Sequence, residues 1–190
     1  MVNKIGILAL QGNFEQHKIM FDILGIDNIF IRYSSDVEKC DAIVIPGGES
    51  TAISKQIDRN NLRYVLQEYS KTNPLFGTCA GMILLSSTNV SNNLQPLEIM
   101  DFTVNRNAYG RQIESFSDDF QLDFCDDENF HGVFIRAPKI SKMGKSIKIL
   151  AKYKKQPVMI RDGRHFATTF HPEMGTDIRI HNYFMEQINA

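Results

Sequence analysis

The sequence predicts an α/β fold: a three-layer αβα sandwich with a largely parallel central sheet and antiparallel additions. Three observations carry this expectation. Ile5 to Leu10, Ala42 to Ile45 and Leu75 to Thr78 are apolar runs of strand length, the style of strands covered on both faces. Helical spacing falls between them, and the first half reads β-α-β-β-α-β-α, an order that suits crossover connections. The second half switches to short strands with polar breaks, which suits antiparallel additions.

The elements follow in order. Ile5 to Leu10 is the first strand, and Asn13 stands where a helix N-cap belongs. The helix runs through Phe14, Met20, Phe21 and Ile23 to Leu24, with Gly25 as its stop signal. Asn28 to Tyr33 is a second strand. Ala42 to Ile45 is a third and ends at Pro46-Gly47-Gly48. Leu62, Val65, Leu66 and Tyr69, spaced i, i+3, i+4 and i+7, make one apolar helix stripe. Leu75 to Thr78 is a short strand leading into a helix from Ala80 to Ser86. Phe102 to Arg106, Gln112 to Phe116, Phe120 to Phe124 and Gly132 to Arg136 are short strands. Ile147 to Tyr153, Pro157 to Arg161 and His165 to Phe170 form a meander, with Asp162-Gly163 as a tight turn. Asp177 to Asn189 closes the chain as a helix. No repeat or linker interrupts this plan, so residues 1–190 are expected to form one domain.

Composition narrows the function classes. Twenty-one basic residues oppose 22 acidic ones, so no electrostatic footprint points to nucleic acid or to an anionic membrane. No apolar run approaches the roughly 20 residues of a membrane span. The start of the chain reads as a strand rather than a signal peptide. Cys40, Cys79 and Cys125 are odd in number and far apart, which suits neither a disulfide framework nor a paired-cysteine metal site. A cytoplasmic protein with reduced thiols is expected.

Three segments carry candidate chemistry. Gly77-Thr78-Cys79-Ala80-Gly81 has the form G-x-nucleophile-x-G between a strand and a helix. Such a turn exposes its nucleophile on a strained elbow. A helix starting at Ala80 aims its positive end at the sulfur and favours thiolate. The alternative is a buried structural cysteine. In Phe170-His171-Pro172-Glu173, Pro172 keeps His171 extended. Residues two apart then share a side, so Glu173 can orient the imidazole. The alternatives are a surface turn before the last helix, or a zinc site with Cys79, which lacks the usual paired spacing. In Pro46-Gly47-Gly48-Glu49-Ser50-Thr51, two glycines leave amides open and permit positive φ, as an oxyanion loop needs. The alternative is a plain Gly-rich turn. It is not a Walker loop, because the motif does not match and Glu49 would repel phosphate. All three segments follow strands, at the edge where open parallel sheets bind ligands.

These segments together resemble the class I, triad-type glutamine amidotransferases, whose fold is flavodoxin-like. Leu8-Ala9-Leu10-Gln11-Gly12, Glu15-Gln16-His17, Asn105-Arg106-Asn107, Tyr109-Gly110-Arg111-Gln112, Ser115-Phe116 and Gly132-Val133-Phe134-Ile135-Arg136-Ala137-Pro138 narrow the match. With them the chain resembles the glutaminase subunits of pyridoxal 5'-phosphate synthases from about residue 4 to residue 184. The resemblance implies hydrolysis of L-glutamine to L-glutamate and ammonia, which passes to a synthase subunit that makes the vitamin B6 cofactor. It implies Cys79 as nucleophile, His171 as general base and acid, and Glu173 as orienting carboxylate. Gly48, Glu49, Ser50, Arg106, Ile135 and Arg136 match substrate-binding positions. Gln11 and Gly47 match positions near the oxyanion site and the synthase contact, and the amide after Cys79, that of Ala80, completes the oxyanion hole. Glu15, His17 and the first helix are candidates for the docking surface. No cofactor and no metal are implied, and the assembly is a large ring of synthase subunits carrying glutaminase subunits. A peptide flip at Gly47-Gly48, gated by the synthase, is the expected activation step. The competing readings are a glutaminase serving another ammonia acceptor, a different cysteine hydrolase, and a binding module with a buried cysteine.

Overall fold

Along β1 (Lys4–Leu8) and β3 (Ala42–Ile45), successive side chains point to opposite faces of the sheet, and both faces are apolar. Ile5, Ile7, Ala42 and Val44 enter one core with Phe21, Ile180 and Phe184. Leu8, Ile43 and Ile45 enter the other with Ile53, Ile57, Leu66 and Leu84. Helices α1 (Phe14–Ile23) and α6 (Arg179–Asn189) therefore cover one face. Helices α3 (Ser50–Arg59), α4 (Arg63–Ser70) and α5 (Ala80–Leu85) cover the other, beside the short α2 (Ser34–Val37). The computed structural model describes residues 4–89, 94–105 and 115–189.

The main sheet also contains β2 (Asp27–Ile31), β4 (Leu75–Thr78), β7 (Ser115–Leu122), β8 (Cys125–Ile135), β10 (Ile147–Tyr153), β11 (Gln156–Asp162) and β12 (His165–Thr168). Its nine strands run in the order β2-β1-β3-β4-β12-β11-β10-β7-β8. The pairs from β2 to β12 are parallel. The pairs from β12 to β8 are antiparallel. The three-layer sandwich and the antiparallel additions are thus as expected. A small second sheet, β5 (Ser86–Asn89), β6 (Met100–Asn105) and β9 (Lys139–Met143), places Met100, Phe102, Val104 and Ile140 against the second core.

The observed elements differ from the expected ones in several places. The third strand leads into helix α3, which no predicted element covers. Its apolar signal is only Ile53 and Ile57, but Glu49 starts it by accepting hydrogen bonds from the amides of Thr51 and Ala52 at 3.0 and 2.6 Å. β7 runs straight through Ser117-Asp118-Asp119, expected as a break, because β8 pairs with it from Ser115 to Phe120. Pairing overrides the weak strand preference of aspartate, and Asp118 accepts the Tyr153 hydroxyl hydrogen bond at 2.7 Å. The expected strand Gln112 to Phe116 lies mostly outside the described residues. β5, β9 and α2 are additional elements, short and without a clear period.

Register delivers the site. Thr168 of β12 sits opposite Thr78 of β4, and Ile45 of β3 opposite Gly77. The segments beginning at Ala9, Pro46, Cys79 and Thr169 therefore leave the sheet at one edge, as open parallel sheets require of a binding site.

Candidate active site

Cys79 is forced into an unusual backbone conformation, φ 49° and ψ −101°, at the junction of β4 and α5. Such a conformation costs about 1–3 kcal/mol and persists only where the surroundings impose it. The surroundings here are tight: the Cys79 amide donates to the Thr168 carbonyl at 2.8 Å. A Cβ on Gly81 would lie 1.9 Å from the Ile45 carbonyl oxygen, so α5 packs on β3 only with glycine there. The thiol is almost buried and contacts the Ile135 carbonyl at 3.6 Å. This is the strained elbow expected from the pentapeptide.

Pro172 and Glu173 form a turn, closed by the Met174 amide donating to the His171 carbonyl at 3.2 Å, where an extended segment was expected. The turn still brings His171 Nδ1 to 2.7 Å from Glu173 Oε1. That bond places the ring proton on Nδ1 and leaves Nε2 for the sulfur. Burial opposes charge on His171, but side-chain hydrogen bonding with Cys79 and Glu173 outweighs it and pushes the imidazole up to about 10. Burial would raise the Glu173 carboxyl, yet the His17 ring beside it and the hydrogen bond from His171 hold it at about 2. An ionised carboxylate thus faces an imidazole that readily carries a proton.

The glycine loop closes the third side, for a reason different from the one expected. Neither Gly47 nor Gly48 adopts positive φ. A Cβ on Gly47 would instead sit 2.3 Å from His171 Cε1 and 3.3 Å from Cys79 Cβ. Glycine is needed because the loop lies hard against both nucleophile and base. Both polar groups of Gly47 are occupied: its amide donates to Thr78 Oγ1 at 3.0 Å, and its carbonyl accepts from the Asn13 amide at 3.0 Å. Gly47 therefore offers no oxyanion donor in this arrangement, which leaves the amides of Gly48 and Ala80. Gln11 braces the loop from behind, its Oε1 accepting from the Glu49 amide at 2.7 Å.

A cleft of about 610 Å³ opens over these groups, lined by Gly48, Glu49, Ser50, Cys79, Ala80, Ile135, Arg136 and His171, with Asn13, Ile83 and Ser115. The structure thus gathers most of the predicted site residues around one cavity, with Gly47 in the loop beside it, Gln11 bracing that loop and Glu173 bonded to His171. Arg106 lies outside the described residues. The Glu49 carboxylate caps α3. His17, expected as a docking candidate, is fully buried between α1 and α6 and cannot meet a partner, whereas Glu15 is exposed. A zinc reading fits poorly, since Glu173 Oε1 is committed to His171.

Sequence reasoning missed Asn13, which begins α1 as expected but makes no side-chain cap. Its Nδ2 instead donates to Glu173 Oε1 at 3.2 Å. It also missed His17 and His181 as neighbours of the site. No local signal distinguishes a buried polar support from any other helix residue.

The described residues contain no helix long and apolar enough to cross a membrane. A family model, the SNO glutamine amidotransferase family, matches residues 7–190. The chain is 43% identical over 185 residues to the pyridoxal 5'-phosphate synthase subunit PdxT of Pelotomaculum thermopropionicum, covering 97% of this chain and 94% of that one. It is 40% identical to the subunit of the same name from Thermosipho africanus, over 97% and 98% of the two chains. A solved structure described as a glutamine amidotransferase superposes with a TM-score of 0.91 at 39% identity, covering 98% of this chain and 99% of that one.

Proposed function

The chain belongs to the SNO glutamine amidotransferase family, and from that premise we propose that Cys79, His171 and Glu173 release ammonia from L-glutamine for a pyridoxal 5'-phosphate synthase. It is an enzyme of the glutaminase type, and its relatives bear the name of a synthase subunit. The observation that carries the residue assignment is the strained, almost buried Cys79 lining one cleft with an imidazole that Glu173 holds at 2.7 Å.

The steps follow from the geometry. The Cys79 thiolate attacks the side-chain amide carbon of glutamine. The amides of Gly48 and Ala80 receive the oxyanion, each worth roughly 10²–10³ in kcat by comparison with similar donors. His171 protonates the departing ammonia, leaving a γ-glutamyl thioester. Water, deprotonated by His171, then attacks the thioester and returns the thiol and L-glutamate. Glu173 keeps the imidazole proton on Nδ1 throughout. Ser50, Ile135 and Arg136, with Arg106 by resemblance, surround the amino-acid end of the substrate.

Ammonia is consumed by a synthase subunit, and the assembly is a ring of such subunits decorated with glutaminases. Activation by a Gly47-Gly48 flip would have to break the Asn13-to-Gly47 hydrogen bond, which gives the resting loop a definite preference. The test is ammonia release from glutamine by the chain alone and with its cognate synthase. Slow turnover alone and acceleration by the synthase are expected. Full activity without the synthase refutes the gating, and no activity in either refutes the function.

A further inference from the structure

Two fully buried histidines stand beside the triad without a role in the steps above. His17 lies one turn after Asn13 on α1, and His181 lies on α6. His17 Nδ1 is 2.9 Å from His181 Nε2. His17 Nε2 is 3.1 Å from Thr78 Oγ1 and 3.4 Å from Glu173 Oε2. Among the described residues, Glu173 Oε2 and His181 Nδ1 are buried without a hydrogen-bond partner.

These contacts decide where the protons sit. If His17 donated from Nδ1, His181 would carry its proton on Nδ1, a buried donor with nothing to receive it. His17 Nε2 would then turn a lone pair toward an ionised carboxylate. The opposite arrangement leaves an unpaired acceptor on His181 and turns the Thr78 hydroxyl proton away from His17, but it meets the ionised carboxylate with a donor instead of a lone pair, the smaller penalty. His181 then donates from Nε2 to His17 Nδ1, and His17 carries its proton on Nε2, between Thr78 and Glu173. Burial pushes both imidazoles below their ordinary value, His181 to about 3, so both are neutral at pH 7.

We infer that His17 is a positioning residue of this site: its Nε2–H, fixed by His181, steadies the Glu173 oxygen that His171 does not use and, through Thr78 Oγ1, the Gly47 amide. Asn13 and His17, four residues apart on one helix face, thus hold the two oxygens of one carboxylate. Thr78 Oγ1 joins this support to the glycine loop, because it also accepts the Gly47 amide. The inference rests on the glutaminase reading for its functional meaning, but the proton positions do not.

The experiment has two arms. In ¹⁵N-histidine spectra of the free chain at pH 7, His17 and His181 are expected as neutral rings protonated on Nε2. His17 protonated on Nδ1, or charged, overturns the inference whatever the chain hydrolyses. In the second arm, H17L and H17Q are assayed with the synthase beside their thermal midpoints. H17L is expected to lower kcat roughly ten- to a hundredfold with KM within about twofold, a positioning signature. H17Q, whose amide can donate from a similar position, recovers most of the loss. Equal losses in both variants, or unchanged kcat in H17L, overturn the inference. If H17L does not fold, H17Q and the spectra still decide it. A wild-type complex that releases no ammonia refutes the glutaminase reading, and the spectra then decide the His17 contact by themselves.

Discussion

The five parallel strands and the four antiparallel ones end in different chemistry. Segments leaving the parallel strands carry Gln11, Gly47, Gly48, Cys79 and His171, set by backbone register. The antiparallel strands carry aromatic rings: Phe120 lies against Phe130, Phe134, Tyr153 and Phe170. Phe116 stacks on Phe134 at 4.6 Å. Their direct gift to the site is one wall, Ser115, Ile135 and Arg136. Geometry at the reacting atoms comes from one half, and the mass that keeps it dry and fixed comes from the other. Phe170 joins them, packed in the aromatic cluster one residue before His171.

Mutations that separate activity from stability test this division. The largest effect is expected from Cys79→Ala, which should abolish ammonia release while the thermal midpoint moves little. Turnover within tenfold of wild type refutes Cys79 as nucleophile, because removing a nucleophile costs on the order of 10⁶ in a comparable enzyme. Phe120→Ala, in the other half, should cost about 3–5 kcal/mol of stability, read by denaturant unfolding. The folded fraction should keep nearly normal kcat, and a large fall would show that the aromatic half reaches into the chemistry. Gly47→Ala should do the reverse: its methyl would press on His171, and displacement by an ångström costs about 10² in rate, with a small change in midpoint.

A smaller effect should appear in the pH dependence of stability. Glu173, held below its ordinary value to about 2, stabilises the fold above about pH 4.5 and loses that contribution as pH falls toward 2. His171, raised to about 10, contributes fully below about pH 6.5 and loses its contribution as pH rises through 10. The stability advantage of wild type over Glu173→Gln should therefore peak between about pH 4.5 and 6.5. A flat difference across pH 3–9 would mean that the carboxylate and imidazole are not coupled.

The same contrast explains what could be read in advance. Ala42 to Ile45 and Leu75 to Thr78 were legible to the residue because a strand covered on both faces has no polar position to blur its ends. The bend at Cys79 and the closeness of His171 to Glu173 were legible because a sharp elbow needs its glycines and a residue two places from a histidine, across a proline, stays near it. Helix α3 was hidden because half its buried stripe, Ser50 and Ser54, is serine. β7 was misread as two strands because its middle is polar and its partner decides its path. The supports behind the triad were invisible for another reason: Asn13 and Glu173 are 160 positions apart, and only the finished fold brings them together.

The twisted backbone at Cys79 has a consequence for how this position tolerates change. Any residue with a β-carbon inherits the same discomfort there, so exchanging the sulfur for a methyl group relieves nothing. Cys79→Gly should be more stable than Cys79→Ala by about 1 kcal/mol, the reverse of the usual ranking of these two residues. At this corner the chain is kept slightly worse folded than it could be, for the sake of where one sulfur points.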